Sequence, residues 1–323
     1  MVAKYIQLAE RVIDDIESEQ LAVAQRMPSV RKFSTLYNVS ITTALNCYQR
    51  LEDLGWLHAK PQSGFFVTQP LGKVIAPQFP SFRSEISTPK TFKQSNVAIN
   101  SPFYVSQFSP ELLSTKAFES CFRRSHKKNQ HLANLYPDPQ GIRDLRVVLA
   151  KHFSEQYFNI SAEKLVVTNG CIDAIKTAIE VTTKTGDTVA ISSPCFIGLI
   201  DLLANMGRKV IEIPFHQAQL DLVQLEAHMS EGQLNACLFS ANHINPQGSC
   251  LSSAQKQALA SLAECYEIPI IEDDVYLELN YTNTIPLPIK HWDKSGWVLW
   301  CNSISKTLGP GYRLGWCEPG RYF

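Results

Sequence analysis

The sequence contains no apolar run close to the roughly 20 residues that a bilayer-spanning helix needs, so no segment reads as a membrane helix. Its nine cysteines, an odd number, include no Cys-x-x-Cys pair. That argues against a zinc site and a disulfide framework, and for reduced thiols in a cytoplasmic protein. Net charge is absent too, with 30 Lys and Arg against 30 Asp and Glu, so overall charge gives no hint of nucleic acid. Charges interrupt the opening "MVAKYIQLAERVIDDIESEQ" every few residues, so it reads as an amphipathic helix rather than a signal peptide. Internal repeats and low-complexity tracts are missing as well. What remains is 323 residues, 45% of them hydrophobic, which suits one large or two unequal domains and is too apolar for a disordered chain.

Near the start, Tyr5, Leu8, Ala9, Val12, Ile13 and Ile16 recur at helical spacing and form one face of an amphipathic helix. "RMPSVRKFSTLY" predicts a second, short helix with Pro28 in its first turn and Val30, Phe33 and Leu36 on its buried face. A third is expected from the N-cap Ser40 to a stop at Gly55. Residues 56–59 and 65–68 read as short strands joined by the hairpin tip "KPQSG". Three helices and a hairpin over residues 1–70 make a winged helix-turn-helix. Between residues 21 and 70, Arg26, Arg31, Lys32, Arg50 and Lys60 stand against only Glu52 and Asp53, which gives a positive face for a phosphate backbone. Ser40, Thr42 and Thr43 supply short hydroxyls able to reach base edges or phosphates. Pattern alone leaves open a helical module that binds protein instead.

The string "MPSVRKFSTLYNVSITTALNCYQRLEDLGWLHAKPQSGFFV" resembles the DNA-binding domain of the GntR family of bacterial regulators. The shared features are the PSxR turn, the V-S-x-T-T helix start, the L-x-x-x-G-W exit and the S-G-x-x-V wing. The resemblance implies that Arg31, Ser40, Thr42 and Thr43 contact duplex operator DNA, with Ser63 and Gly64 at the wing tip. Ile41 stands where several members carry a guanine-reading arginine, so the operator sequence is not implied.

Residues 71–98 contain Pro77, Pro80 and Pro89 among many polar side chains and no sustained period, and read as an interdomain tether. From residue 99 to 323, apolar runs ("KLVVTNG", "DTVAISSP", "KVIEIPF", "ACLFSANH", "IPIIEDDVY", "WVLWCNSISK") alternate with helix-length segments starting at Ile172 and Phe196. Such runs predict an α/β domain with parallel strands buried on both faces. Ligands of such sheets sit beyond the carboxyl ends of the strands. There the chain places Gly170, Asn245, Asp273, Ser303, Ser305 and Lys306.

Those groups fit pyridoxal 5'-phosphate. Its aldehyde needs an amine to condense with, which only a lysine, Lys306, provides. The ring nitrogen needs a carboxylate, Asp273. The ring oxygen needs donors, Asn245 of "NPQG" and Tyr276. The phosphate needs a cup: the backbone at Gly170 and Cys171 opening a helix, the hydroxyls of Ser303 and Ser305, and the Arg313 guanidinium. Phe196 is expected to cover the ring. Cys171 and Cys195 otherwise read as packing residues, His243 as a structural hydrogen-bonder, and Asp274 as a surface or helix-start carboxylate.

The ensemble resembles the fold-type I aminotransferases, to which "YPDPQGIRDLR" and "TNGCIDAI" also correspond. The resemblance implies that Tyr136 reaches into a neighbouring subunit's site. Ile172 departs from the glutamine the family often has there. A GntR-type reader joined to such a domain is similar to the MocR subfamily of regulators. That implies a head-to-tail homodimer whose large domain senses pyridoxal phosphate or its adduct with an amine. The rival reading is a working aminotransferase with a DNA-binding appendage; a scaffold that binds no cofactor is a third. Fold-type I proteins continue beyond the lysine into a small domain, whereas only ten residues, 314–323, follow Arg313. The sequence therefore reads as a fragment, expected to bind the cofactor weakly and to expose apolar surface.

Overall fold

The computed structural model describes residues 4–17, 21–22, 24–60, 64–68, 79, 82, 84–91, 106, 109, 111, 115–281 and 285–323. The chain divides into two compact units, residues 1–78 and 79–323.

The first unit holds α1 (Lys4–Glu17), α2 (Val30–Leu36), α3 (Ile41–Asp53), β1 (Leu57–Lys60) and β2 (Gly64–Val67). β1 and β2 pair antiparallel, with Leu57 opposite Val67 and Lys60 opposite Gly64. Leu8, Val12 and Ile16 of α1 meet Phe33, Cys47, Tyr48, Leu51, Leu57 and Val67 in one core. The Tyr48 ring is wholly buried, and its hydroxyl is satisfied by donating to the Pro28 carbonyl at 2.8 Å. Leu36 differs from expectation: it is 67% exposed. On so short a helix, Leu36 lies round the axis from the Val30–Phe33 stripe. Tyr37 takes its place, its ring centroid 4.4 Å from that of Phe33.

The second unit contains β3 (Ile86–Ser87), α4 (Thr115–Asn129), α5 (Arg143–Gln156), β4 (Val166–Thr168), α6 (Cys171–Thr182), β5 (Thr188–Ser193), α7 (Ile197–Asn205) and β6 (Lys209–His216). It continues with β7 (Gln219–Leu220), α8 (Leu222–Ser230), β8 (Ala236–Phe239), α9 (Ser253–Tyr266), β9 (Ile270–Asp273), β10 (Val298–Ser303) and β11 (Gly315–Glu318). Among the described residues the sheet runs β3-β6-β5-β8-β9-β10-β11-β4, with β7 paired to β6.

Alternate side chains face opposite ways, as the two-residue period of a strand requires. Ile211, Ile213, Cys237, Phe239, Ile270 and Val298 pack on α8 and α9. Val189, Ile191, Ala236, Leu238, Ile271 and Leu299 pack on α6 and α7. α5 presses Leu149 and Phe153 against Trp300 and Trp316 near the sheet's far edge. The result is a three-layer α/β/α body.

The sheet is mixed: the six apolar runs read from the sequence (β4, β5, β6, β8, β9 and β10) all run one way, as expected, whereas β11 is antiparallel to both β10 and β4, and β3 is antiparallel to β6. Because β11 alone reverses between β10 and β4, β4 still runs in the same direction as β5, β8, β9 and β10, and its carboxyl end reaches the same rim. The tether expected over 71–98 lies mostly outside the described residues. Where it is described, Ile86–Ser87 is an edge strand of the large sheet. Ser84 is buried there, its hydroxyl donating to the Glu212 carbonyl at 2.6 Å and its N–H to Gln224 Oε1 at 3.1 Å. Those bonds satisfy polar groups that a free tether would leave to water.

Candidate functional site

The rim at the carboxyl ends of β4, β9 and β10 is built by three local events. First, β4 ends in Asn169-Gly170, and Gly170 caps α6 at φ +90°, a left-handed conformation that favours glycine. Second, β9 ends at Asp273, whose side chain is buried. Third, β10 ends at Ser303, and the chain makes two 3₁₀ turns, Ile304–Lys306 and Pro310–Tyr312, before Arg313 turns it back at φ +46° into β11. The Lys306-to-Arg313 spacing is therefore the length of chain that crosses the rim between two antiparallel strands.

This return brings β11 against the α6 turn. A Cβ on Gly315 would collide with the backbone of Gly170 and sit 2.8 Å from the Cys171 nitrogen. A Cβ on Gly170 would sit 2.5 Å from Arg313 Nη2. The guanidinium thus lies against the turn, and its Nη2 donates to the Asn169 carbonyl at 3.1 Å. The helix N-terminus and a cation face one spot, an arrangement suited to an anion.

One cavity of about 310 Å³ is lined by Cys171, Phe196, Asn245, Asp273, Tyr276, Ser303, Ser305, Lys306 and Arg313 together. Its volume lies within the rough 300–1,000 Å³ of small-molecule sites. Hollows of about 550 and 570 Å³ elsewhere gather no such set. Ser303 Oγ donates to Ser305 Oγ at 3.0 Å, so the two hydroxyls stand side by side. Lys306 Nζ donates to the Ser106 carbonyl and lies 5.5 Å from the Tyr276 ring centroid. Tyr276 donates its hydroxyl to Ser106 Oγ at 3.0 Å. Burial pushes the Asp273 carboxyl above its usual value, against the opposing pull of Cys171, the Val275 N–H and the Lys306 ammonium. The set fits pyridoxal phosphate: a reactive amine, a buried carboxylate, an amide, a phenol and an anion cup open into one space.

Several residues stand elsewhere or act differently. Gly170 shapes the cup from beneath the lining. Tyr136 is fully exposed and outside the cavity. The Arg146 of "YPDPQGIRDLR" is buried and donates to the Gly141 and Ala162 carbonyls at 3.2 and 2.8 Å, so it braces that loop. The Cys171 thiol does more than pack: it donates to Asp273 Oδ1 at 3.4 Å, and burial raises its pKa well above the ordinary value. Asp274 corrects the surface reading, for it is wholly buried and accepts from Asn242 Nδ2 and Trp300 Nε1 at 2.9 and 2.8 Å. Ser106, Ser240, Val275 and Pro310 also line the cavity and were not singled out from the sequence; Ile172, noted there only as a departure from the family's glutamine, lines it too. Ser240 ends an apolar run and could have been; Ser106 sits in an aperiodic stretch that carries no signal.

In the first unit, Ser29 caps α2 by accepting from the Lys32 N–H at 3.3 Å. Ser40 caps α3, accepting from the Thr43 N–H at 3.0 Å, with its Oγ 2.8 Å from Thr43 Oγ1. Its hydroxyl is therefore engaged, whereas Thr42 and Arg31 are exposed. Gly64 opens β2 at φ +98°, and the Arg26 guanidinium lies beside it. Arg26, Ser29, Lys32 and Gly64 line a hollow of about 510 Å³. Arg26 was counted in the positive face but not as a contact. Ser63 falls outside the described residues. Among those described, no helix is long and apolar enough to cross a membrane, and no three His, Cys, Asp or Glu side chains gather as metal ligands.

Comparison with known proteins agrees with this division. Residues 4–67 match the gntR family of bacterial regulatory proteins, and residues 96–318 match aminotransferase class I and II. The chain is 32% identical over 326 residues to the uncharacterized HTH-type transcriptional regulator YdcR of Escherichia coli, covering 99% of this chain and 70% of that protein. It is 25% identical over 300 residues to the HTH-type transcriptional regulator NorG of Staphylococcus aureus, covering 90% and 67%. Among solved structures, an archaeal alanine:glyoxylate aminotransferase is 26% identical with a TM-score of 0.61, over 66% of this chain and 54% of that one. The multiple substrate aminotransferase of Thermococcus profundus is 25% identical with a TM-score of 0.62, over the same shares. The chain thus spans about half the length of the aminotransferases it matches.

Proposed function

From the premise that this chain belongs to the aminotransferase class I and II family and carries a gntR-family head, the MocR type of transcriptional regulator, we propose that it is a DNA-binding regulator that senses pyridoxal phosphate. The observation that carries the reading is the single cavity shared by Lys306, Asp273, Asn245, Tyr276 and Arg313, in a chain whose other unit is a winged helix. When bound, the cofactor supplies an aldehyde that captures amines and a ring that draws electrons from them. Lys306 presents the amine, Asp273 holds a proton at the ring nitrogen, and Asn245 and Tyr276 donate to the ring oxygen. Ser303, Ser305, Arg313 and the N–H groups at Gly170 and Cys171 grip the phosphate. Tyr136, exposed in one chain, is offered to a second copy's cavity in a homodimer.

In the first unit, Arg31, Thr42, Thr43 and the wing at Ser63 and Gly64 contact operator DNA, with Ser40 ordering the start of α3. Coupling between the cavity and the DNA contacts of about 1–3 kcal/mol changes operator affinity roughly 5- to 150-fold. A small-molecule amine taken up in the cavity beside Lys306 would be the signal that shifts it.

Titration of the protein with pyridoxal phosphate is expected to raise a visible absorption band that Lys306→Ala lacks; an identical band in the variant refutes the role of Lys306. Operator shift assays with and without the cofactor, run beside turnover of an amino acid and a keto acid, separate sensor from enzyme. A DNA response without turnover supports the regulator, and turnover at enzyme-like rates supports an aminotransferase with a DNA-binding appendage.

A further inference from the structure

Behind the cavity lies a charged network to which the reading above gives no role. Lys256 on α9 is buried, and its Nζ donates to Asn242 Oδ1 at 2.5 Å and to the Leu287 carbonyl at 2.8 Å. Asn242, also buried, passes the connection on: its Nδ2 donates to Asp274 Oδ1 at 2.9 Å. Trp300 of β10 fills the other carboxylate oxygen through Nε1 at 2.8 Å. A cation and an anion are thus joined through one amide, and both polar atoms of the amide are used.

Such a pair is a poor way to stabilise a core. Desolvating the two charges offsets most of their attraction, and apolar side chains of like volume often serve as well or better. Position is what the network does provide. Asn242 precedes Asn245 by three residues, and Asp274 directly follows Asp273. Asn245 and Asp273 come from separate segments and line the same cavity, where they are assigned to different edges of one ring. Lys256 also supplies the counter-charge for Asp274. Without it, Asp274 would lie buried beside Asp273 with no cation of its own. Among the described residues, the titratable groups facing the bridge include Glu272 and Asp273 on β9, His243 and Cys250 on the Asn245 loop, Tyr157, Cys171, and Lys306 beyond Asp273.

We propose that the Lys256–Asn242–Asp274 bridge is a positioning device that holds Asn245 and Asp273 at one separation and so sets the cavity's affinity for pyridoxal phosphate. This inference rests on the cofactor reading given above. It is tested by titrating the 323-residue protein with pyridoxal phosphate, reading the visible band, and checking the fold of each variant by circular dichroism. Lys256→Met and Asp274→Asn each strand a buried partner. Each is expected to weaken affinity roughly tenfold to a hundredfold, the range found when a group that orients a ligating residue is lost.

The double variant removes both charges and frees the Asn242 amide to turn and accept from the substituted amide. Its affinity is expected to return to within about threefold of wild type, as matched removal of a buried pair allows. Folded single variants with wild-type affinity overturn the proposal, as does a folded double variant no better than the weaker single one. If Lys256→Met does not fold, Lys256→Gln, which keeps a donor without the charge, carries the same expectation and the same refutation. A wild type that raises no band takes the cofactor reading down with it; a normal wild type with unaffected variants removes only the bridge.

Discussion

At Gly170 a single missing carbon decides the geometry of the cup. Alanine there would have to hold φ +90° and would press on Arg313. Gly170→Ala is therefore expected to destabilise the second unit by roughly 1–3 kcal/mol, the cost of a strained backbone. Affinity for pyridoxal phosphate should fall roughly tenfold as the guanidinium moves, about one charged hydrogen bond's worth. Urea denaturation and the absorption titration read the two effects separately, and wild-type affinity in the variant would count against Arg313 as a phosphate ligand. That Lys306, Asp273 and Arg313 share one cavity was legible in the sequence because few side chains could do the tasks proposed for them. Asp274 was not: nothing in "EDDVY" says that both adjacent aspartates are buried, and the amide and indole that satisfy Asp274 come from distant segments.

Among the elements, α3 separates stability from recognition. Ser40 satisfies the helix's own N–H groups, whereas Thr42 is exposed and serves no cap. Ser40→Ala is expected to lower the stability of the first unit by about 1 kcal/mol and to weaken duplex DNA binding with it. Thr42→Ala should weaken DNA binding while leaving the thermal midpoint unchanged. Melting curves beside gel-shift titrations check the pair; equal stability losses would contradict the capping role. The helices of this unit were readable because their apolar periodicity and caps are local. The direction of β11 was not: "GWCE" is only four residues long, and its reversal is set by Arg313 and by pairing to both β10 and β4.

For the molecule as a whole, buried acids tie stability to pH. Glu272 accepts from the Ile289 and Lys290 N–H groups at 2.7 and 3.0 Å, and burial together with Asp274 raises its pKa to about 8. Asp274 is raised to about 7, again chiefly by burial. Both values exceed those of an unfolded chain, roughly 4, so the native state holds these protons more tightly. Their stabilisation is full below about pH 4 and is lost as pH rises through 7 to 8. Calorimetry of the second unit should show its melting temperature falling between pH 5 and pH 8.5, with a shallower slope in Glu272→Gln; a flat wild-type profile would refute this. β4 carries a different consequence. Its only strand partner among the described residues is β11, so the loop that opens α6 hangs on a strand far downstream of it in the chain. During synthesis the cup cannot form as Gly170 leaves the ribosome: Arg313 and Gly315, which close on it, must emerge first.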